Sequence, residues 1–297
     1  MDTVMVSHVR RFNRTVTQRI GALHDHFLAR GRPLGQARLL WEIGPGGSDV
    51  RTLRSRLDLD SGYLSRLLRS LEHDGLVAVT QNGSDGRLRV VRLTAAGLAE
   101  RAELDRRSDE AARAILGPLT GAQRERLVAA MAEVERLLVA SMVDISPADP
   151  RHVDARTCLR AYFGELAGRF DHGFDPERSS HVADAEMRPP SGLFLVAALY
   201  GEPVGCGALR FRDGEPAEIK RMWVSEAVRG LGLGRRVLAE LEARARAHGV
   251  RVVRLETNRS LTEAISMYRA AGYREVAPFN AEPYAHHWFE KELETGS

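Results

Sequence analysis

Cysteine and lysine are nearly missing from this chain of 297 residues: the only cysteines are Cys158 and Cys206, the only lysines Lys220 and Lys291. Two cysteines are too few for a disulfide scaffold and do not stand at metal-ligand spacing, so buried thiols are expected and a bound metal is not. Long apolar runs are missing too. The longest, Leu193 to Tyr200, is far too short to span a bilayer, and the N-terminus has no charged-then-apolar signal pattern. A cytoplasmic protein without a membrane partner is the expectation. Nor does Gly-Lys-Ser or Gly-Lys-Thr occur, which excludes the nucleotide-triphosphate loop.

What is present fits a soluble chain of two ordinary domains, with 43% hydrophobic and 28% charged residues. The net charge of +3 is unevenly spread. Residues 1–145 hold 22 arginines against 18 acidic residues, whereas the remainder holds 21 basic against 22 acidic. An N-terminal positive excess is what a nucleic-acid-binding half requires.

Three long helical patterns frame that half: Val4 to Ala29, Thr94 to Leu116, and a third that opens on the capping box Thr120-Gly121-Ala122-Gln123 and runs to about Val143. Between the first two lie shorter elements. Asp49 to Leu57 reads as a short helix, and Asp60 caps another, Ser61 to Glu72. On the latter, Leu64, Leu67, Leu68 and Leu71 form a core-facing stripe, while Gly62, Ser65, Arg66 and Arg69 occupy the opposite face. That face suits either solvent or the major groove, where arginine pairs with guanine edges or phosphates. Leu76 to Thr80 and Arg87 to Leu93 then read as strands joined by the turn-rich Gln81 to Gly86, an arginine-tipped hairpin in which Asp85 can orient Arg87.

Four motifs, Asp60-Ser61-Gly62-Tyr63-Leu64-Ser65-Arg66, Asp74-Gly75-Leu76-Val77, Asp85-Gly86-Arg87 and Leu93-Thr94-Ala95-Ala96-Gly97, stand in the order of the MarR family of winged-helix regulators. This half resembles that family over residues 1–145. The resemblance implies a mostly α winged helix-turn-helix fold and an obligate homodimer on double-stranded operator DNA. It assigns DNA contacts to Ser61, Gly62, Tyr63, Ser65, Arg66 and Arg69 on the recognition helix and to Asp85, Arg87 and Arg89 on the wing. A module that only dimerises is the alternative.

Ser146-Pro147-Ala148-Asp149-Pro150 reads as a short linker, and residues 151–297 as a second, α+β domain. Its order is a helix (about Asp154 to Phe170), paired strands (Gly192–Leu199, Pro203–Phe211), then a strand–loop–helix–strand crossover. The loop is Arg229-Gly230-Leu231-Gly232-Leu233-Gly234-Arg235, between the strand Glu218–Val224 and a helix starting near Arg236. A glycine loop there can aim several backbone N–H groups at one anion, although a solvated turn has the same composition. Arg235 stands where the dinucleotide fingerprint needs its third glycine.

The pattern Arg229-x-x-Gly232-x-Gly234 resembles the acetyl-CoA loop of the GNAT N-acetyltransferases. Leu255-Glu256-Thr257-Asn258 and the run Ala264 to Tyr273, with Tyr268 and Gly272 in register, extend the resemblance over nearly all of 151–297. It implies a mixed central sheet and acetyl-CoA as cosubstrate, bound by Met222, Trp223, Val224, Arg229, Gly230, Leu231, Gly232, Leu233, Gly234, Arg235 and Tyr268. Many members carry asparagine three residues before the alanine; here Leu261 stands there, and Asn258 is the candidate substitute. By the same resemblance Tyr268 is the general acid, and Glu218 is a candidate base for an acceptor amine, small molecule or protein. Phe279, Asn280 and Tyr284 are candidates to shape the acceptor site. His286-His287 is not expected to bind metal, because adjacent strand residues face opposite ways. Three functions fit: a regulator that also acetylates, a regulator that senses acetyl-CoA or a metabolite without turnover, and an acetyltransferase that uses the winged helix only to dimerise.

Overall fold

Short polar side chains close the amino ends of most N-terminal helices in the computed structural model, which describes residues 2–21, 28, 31–81, 89–179, 182–212 and 214–294. Asp2 caps α1 (Thr3–Arg19), Asp49 caps α3 (Val50–Leu57), Asp60 caps α4 (Ser61–His73) and Thr94 caps α5 (Ala95–Leu116), each accepting from an N–H of the first turn. α2 (Leu34–Ile43) opens instead on Pro33, with no side-chain cap. It was not anticipated from the sequence, because its start carries none of the usual polar signals. α1 ends at Arg19 ahead of Gly21 at φ +68°, and residues 22–27 and 29 of the expected Val4–Ala29 helix lie outside the described residues.

The chain divides into two compact units at Ala132/Glu133. In the first, β1 (Ser48–Asp49), β2 (Val77–Gln81) and β3 (Arg89–Leu93) form an antiparallel sheet in the order β1-β3-β2. α3 and α4 meet at Asp58, in the left-handed region at φ +49°, which turns the chain from one helix into the next. Leu39, Leu40, Leu53, Leu64, Leu71, Val91 and Leu104 form the core beneath them. At Gly97 a Cβ would lie 2.0 Å from the Leu76 carbonyl oxygen, so only glycine lets α5 approach the strand.

α6 (Gly121–Ser141) contains the division, and its capping box forms as expected: Thr120 N donates to Gln123 Oε1 (2.9 Å), Gln123 N to Thr120 Oγ1 (3.3 Å). The proline-bearing segment at 146–150 is not a free linker. β4 (Asp144–Pro147) is an edge strand paired antiparallel with β5 (Gly192–Leu199). Ile145 joins the core there, and Pro147 is tolerated because an edge strand can spare an N–H.

After α7 (Val153–Arg169) the second unit continues through β6 (Glu202–Arg210), β7 (Ala217–Val224), α8 (Leu233–Ala247), β8 (Val252–Thr257), α9 (Thr262–Ala270), β9 (Arg274–Val276) and β10 (His287–Glu292). The mixed sheet runs β4-β5-β6-β7-β8-β10-β9, with β7 and β8 parallel and every other pair antiparallel. Leu233, Val237, Leu238 and Leu241 seat α8 on this sheet. It sits close: a Cβ at Gly207 would lie 2.8 Å from Leu241 and 3.0 Å from Val237. Among the described residues no helix is long and apolar enough to cross a membrane.

Candidate active site and nucleic-acid interface

β7 and β8 are in register only at Ala217–Val253 and Glu218–Arg254, and beyond Glu218 they part. On its other edge β7 is bulged: Arg221 and Met222 together oppose Gly207, and Arg221 sits at φ +56°. The parting and the bulge open a cleft in the sheet. One cavity, of about 580 Å³, is lined by Met222, Trp223 and Val224 of β7, the glycine loop, and Met267 and Tyr268 of α9.

The loop has the geometry of an anion cradle. Gly230 and Gly232 are at φ +81° and +73°, and a Cβ at either would meet nothing within 4 Å. Gly232 is the N-cap of α8 and supplies no side-chain acceptor, so the first-turn N–H groups have no cap competing for them. Arg235 lines the cavity and has no ion pair among the described residues. Other loop residues serve the fold. Leu233 is core and contributes only backbone, Leu231 packs against the core rather than lining the cavity, and Gly234 leaves room for Met267 Sδ, 3.0 Å from where its Cβ would be.

Arg229 is already engaged. Its Nη2 pairs with Glu165 Oε2 at 2.5 Å and its Nε donates to the Val224 carbonyl. Glu165 also accepts from Trp223 Nε1 (2.9 Å) and pairs with Arg169 (3.2 Å), tying α7 to the loop strand. Arg229 thus lines the cavity with its charge already shared with Glu165. Glu165 itself was missed. The signal was the helical stripe Tyr162, Glu165, Leu166, Arg169, Phe170, whose spacing puts one face of α7 on the cleft.

A second cavity shares Tyr162, Leu166, Met222, Leu261, Ala264 and Tyr268 with the first, so the two meet at those residues. Tyr268 is 5% exposed, and its hydroxyl has no hydrogen-bond partner among the described residues. Burial raises its pKa far above the ordinary phenol value, and Tyr162 and Glu256 add to that. Tyr162, beside it, is pushed up to about 12 by burial, against the pull of the Arg221 guanidinium.

Glu218 is not placed to act as a base. It is 2% exposed, lines neither cavity, and is held by Arg210, by Arg254 Nη2 at 2.8 Å and by Lys220 Nζ at 3.3 Å. Burial alone would raise its pKa, but Lys220, Arg254 and Arg210 overcome that and hold it at about 2. Glu256, to which the sequence gave a motif but no role, lines the second cavity, as does Glu282. Glu256 pairs with Lys220 and accepts from Asn280 Nδ2 (3.4 Å).

Asn258 is likewise spoken for. Its Nδ2 donates to the Tyr284 carbonyl (2.8 Å) and its Oδ1 accepts from Ser260 N (2.9 Å), so it braces a turn instead of reaching for a CoA amide. Of the three candidate acceptor residues only Tyr284 lines the second cavity. Asn280 accepts from Trp288 Nε1 (2.8 Å), and Phe279 lies under the Arg254 guanidinium. His287 Nδ1 lies 2.6 Å from Glu275, and no group of three or more potential metal ligands exists among the described residues.

In the first unit, α4 buries Leu64, Leu67, Leu68 and Leu71 and exposes Ser61, Gly62, Tyr63, Arg66 and Arg69, with Ser65 half-buried. Ser65 Oγ donates to the Ser61 carbonyl (2.7 Å), and Arg69 Nε to the Ser65 carbonyl (3.2 Å). Arg66 lies over the Tyr63 ring at 5.7 Å. Neither arginine has an ion pair among the described residues. Arg89 is exposed at the start of β3, whereas Asp85 and Arg87 lie outside the described residues.

Comparison with known proteins matches residues 159–273 to the Acetyltransferase (GNAT) family and residues 30–88 to the MarR family. An IAA acetyltransferase of Azospirillum brasilense is 39% identical over 128 residues, covering 42% of this chain and 77% of that protein. An uncharacterized N-acetyltransferase of Escherichia coli K12 is 27% identical over 116 residues, covering 36% and 70%. A solved GNAT family acetyltransferase from Elizabethkingia anophelis with acetyl-CoA bound aligns over 51% of this chain and 99% of its own, at 20% identity and a TM-score of 0.37. The chain belongs to the GNAT family of N-acetyltransferases and carries a MarR-family domain ahead of its transferase domain.

Proposed function

We propose that the protein is a homodimeric DNA-binding regulator that also transfers an acetyl group from acetyl-CoA to an amine. The observation that carries the transferase half is the meeting of two cavities at Tyr268 and Met222, one walled by the uncapped start of α8 and the other by Glu256. The first fits acetyl-CoA: open space over Gly230 and Gly232, first-turn N–H groups and Arg235 suit a pyrophosphate. Bound there, acetyl-CoA supplies an activated acyl group. Met222 to Val224, where β7 leaves β8, offer backbone groups to hold the donor. Tyr268, kept protonated by burial, is the proton donor at the junction. Glu256 replaces Glu218 as the carboxylate able to take a proton from the acceptor.

The DNA-binding half is supported by Arg66 and Arg69 on an exposed helix face, neither with an ion pair among the described residues. Dimerisation is supported by apolar side chains left in solvent on α1 (Val4, Met5, Val9, Phe12) and α6 (Val128, Met131, Leu137, Leu138). Incubating the full chain with labelled acetyl-CoA and pools of amines, peptides and proteins tests the transferase. Labelled product sensitive to Tyr268→Phe is expected; acetyl-CoA binding without product from any pool would leave a sensor. Selection of genomic fragments tests the regulator, and enrichment of no palindromic site would leave the winged helix as a dimerisation module.

A further inference from the structure

Resting on the transferase reading, we propose that the acceptor is an aromatic α-amino acid, its carboxylate held by Arg221. This arginine occupies the bulge of β7 at φ +56°, a conformation that costs a side-chain-bearing residue on the order of 1 kcal/mol. It lines the acceptor cavity, with its guanidinium over Phe163 at 4.9 Å and over Tyr162 at 5.9 Å. The other cation of that wall, Lys220, is neutralised by Glu256 and Glu218. Among the described residues no carboxylate lies within ion-pair distance of Arg221. A guanidinium stacked on rings, with the Tyr162 hydroxyl as its side-chain hydrogen-bond partner, keeps N–H donors for a ligand, and a guanidinium forks onto a carboxylate.

Aromatic walls stand near it. Phe174 lies 4.9 Å from Tyr284 and 5.7 Å from Phe170 between ring centroids, and all three line the cavity. These rings suit a flat apolar side chain. Glu256 and Tyr268 line the same cavity and complete the requirement for an α-amine beside the donor site. In the transfer the amine nitrogen bonds to the acetyl carbon as the thioester C–S bond breaks; the amine loses one proton and the sulfur gains one.

The test uses the full chain at saturating acetyl-CoA, reading thiol release with L-phenylalanine and with phenethylamine, which lacks only the carboxylate. Phenylalanine should be preferred by about 10⁴-fold in kcat/KM, the lower end of the scale at which a site built for a polar group rejects an analogue lacking it. Arg221→Met should collapse that ratio toward one, and Arg221→Lys should retain part of it. Equal use of the two acceptors by the unaltered protein, or an equal loss on both in a folded Arg221→Met variant, would overturn the proposal. Turnover of neither also overturns it. Calorimetry with acetyl-CoA and turnover of the wider amine pools then decide separately whether the transferase reading stands.

Discussion

Replacing Glu218 with glutamine separates a structural role from a catalytic one. The carboxylate contacts Arg210, Lys220 and Arg254, all at most 13% exposed in their side chains. Each cation keeps one outer carboxylate when Glu218 is neutralised: Glu186 for Arg210, Glu256 for Lys220 and Glu215 for Arg254. The cost should therefore sit near the lower end of about 3–5 kcal/mol, typical when one partner of a buried ion pair is removed. At roughly 2–4 °C per kcal/mol for a domain of this size, a fall in Tm of about 6–12 °C is expected by calorimetry.

The pH dependence gives an independent measure of the same group. With its folded pKa depressed from 4.5 to about 2, Glu218 stabilises the fold fully above about 4.5, and that stability is lost as pH falls toward 2. The shift corresponds to about 3 kcal/mol, and the glutamine variant should lack this segment of the acid-denaturation curve. A variant with unchanged Tm whose turnover falls 10²-fold or more would refute the reasoning and restore Glu218 as the base.

Tyr268→Phe should leave stability nearly unchanged, since its hydroxyl has no partner to orphan among the described residues, and should lower kcat by about 10² with acetyl-CoA affinity retained; an unaltered kcat would move thiolate protonation to water. Gly232→Val puts a β-branched residue at φ +73° in the cradle and should weaken acetyl-CoA binding by roughly one to two powers of ten; calorimetry showing equal affinity in a folded variant would refute the loop assignment. Arg66→Ala and Arg69→Ala should each cost about 1–3 kcal/mol at the operator and relax base preference, whereas a uniform loss across sequences would make them phosphate contacts.

Much of this protein was legible before folding because its local signals are strong. Asp49, Asp60, Thr94 and the Thr120–Gln123 box set helix starts where their short side chains can reach orphan N–H groups. The leucine stripe of α4 set its buried face, and with it the exposed arginines. α2 was missed because proline, which gives no capping oxygen, precedes it. β4 was read as linker because proline signals a break locally, and only its pairing with β5 makes it an edge strand.

Glycine spacing by itself determined that the chain between β7 and α8 can turn through positive φ, since the angles at Gly230 and Gly232 are a local backbone property. Which side chains line the two cavities was decided by the tertiary structure alone. Arg229 and Glu218 look like free charges in one dimension, yet Glu165 lies 64 residues before Arg229, and Arg254 lies 36 after Glu218. Tyr162 and Arg221 carry no motif, and Glu256 stands in one that gave it no role; they line one cavity because β7 bulges opposite Gly207 and leaves β8 after Glu218. The physical reason is the range of the forces. Capping and backbone strain act within a turn, whereas ion pairing and desolvation depend on partners that only the closed fold brings within reach.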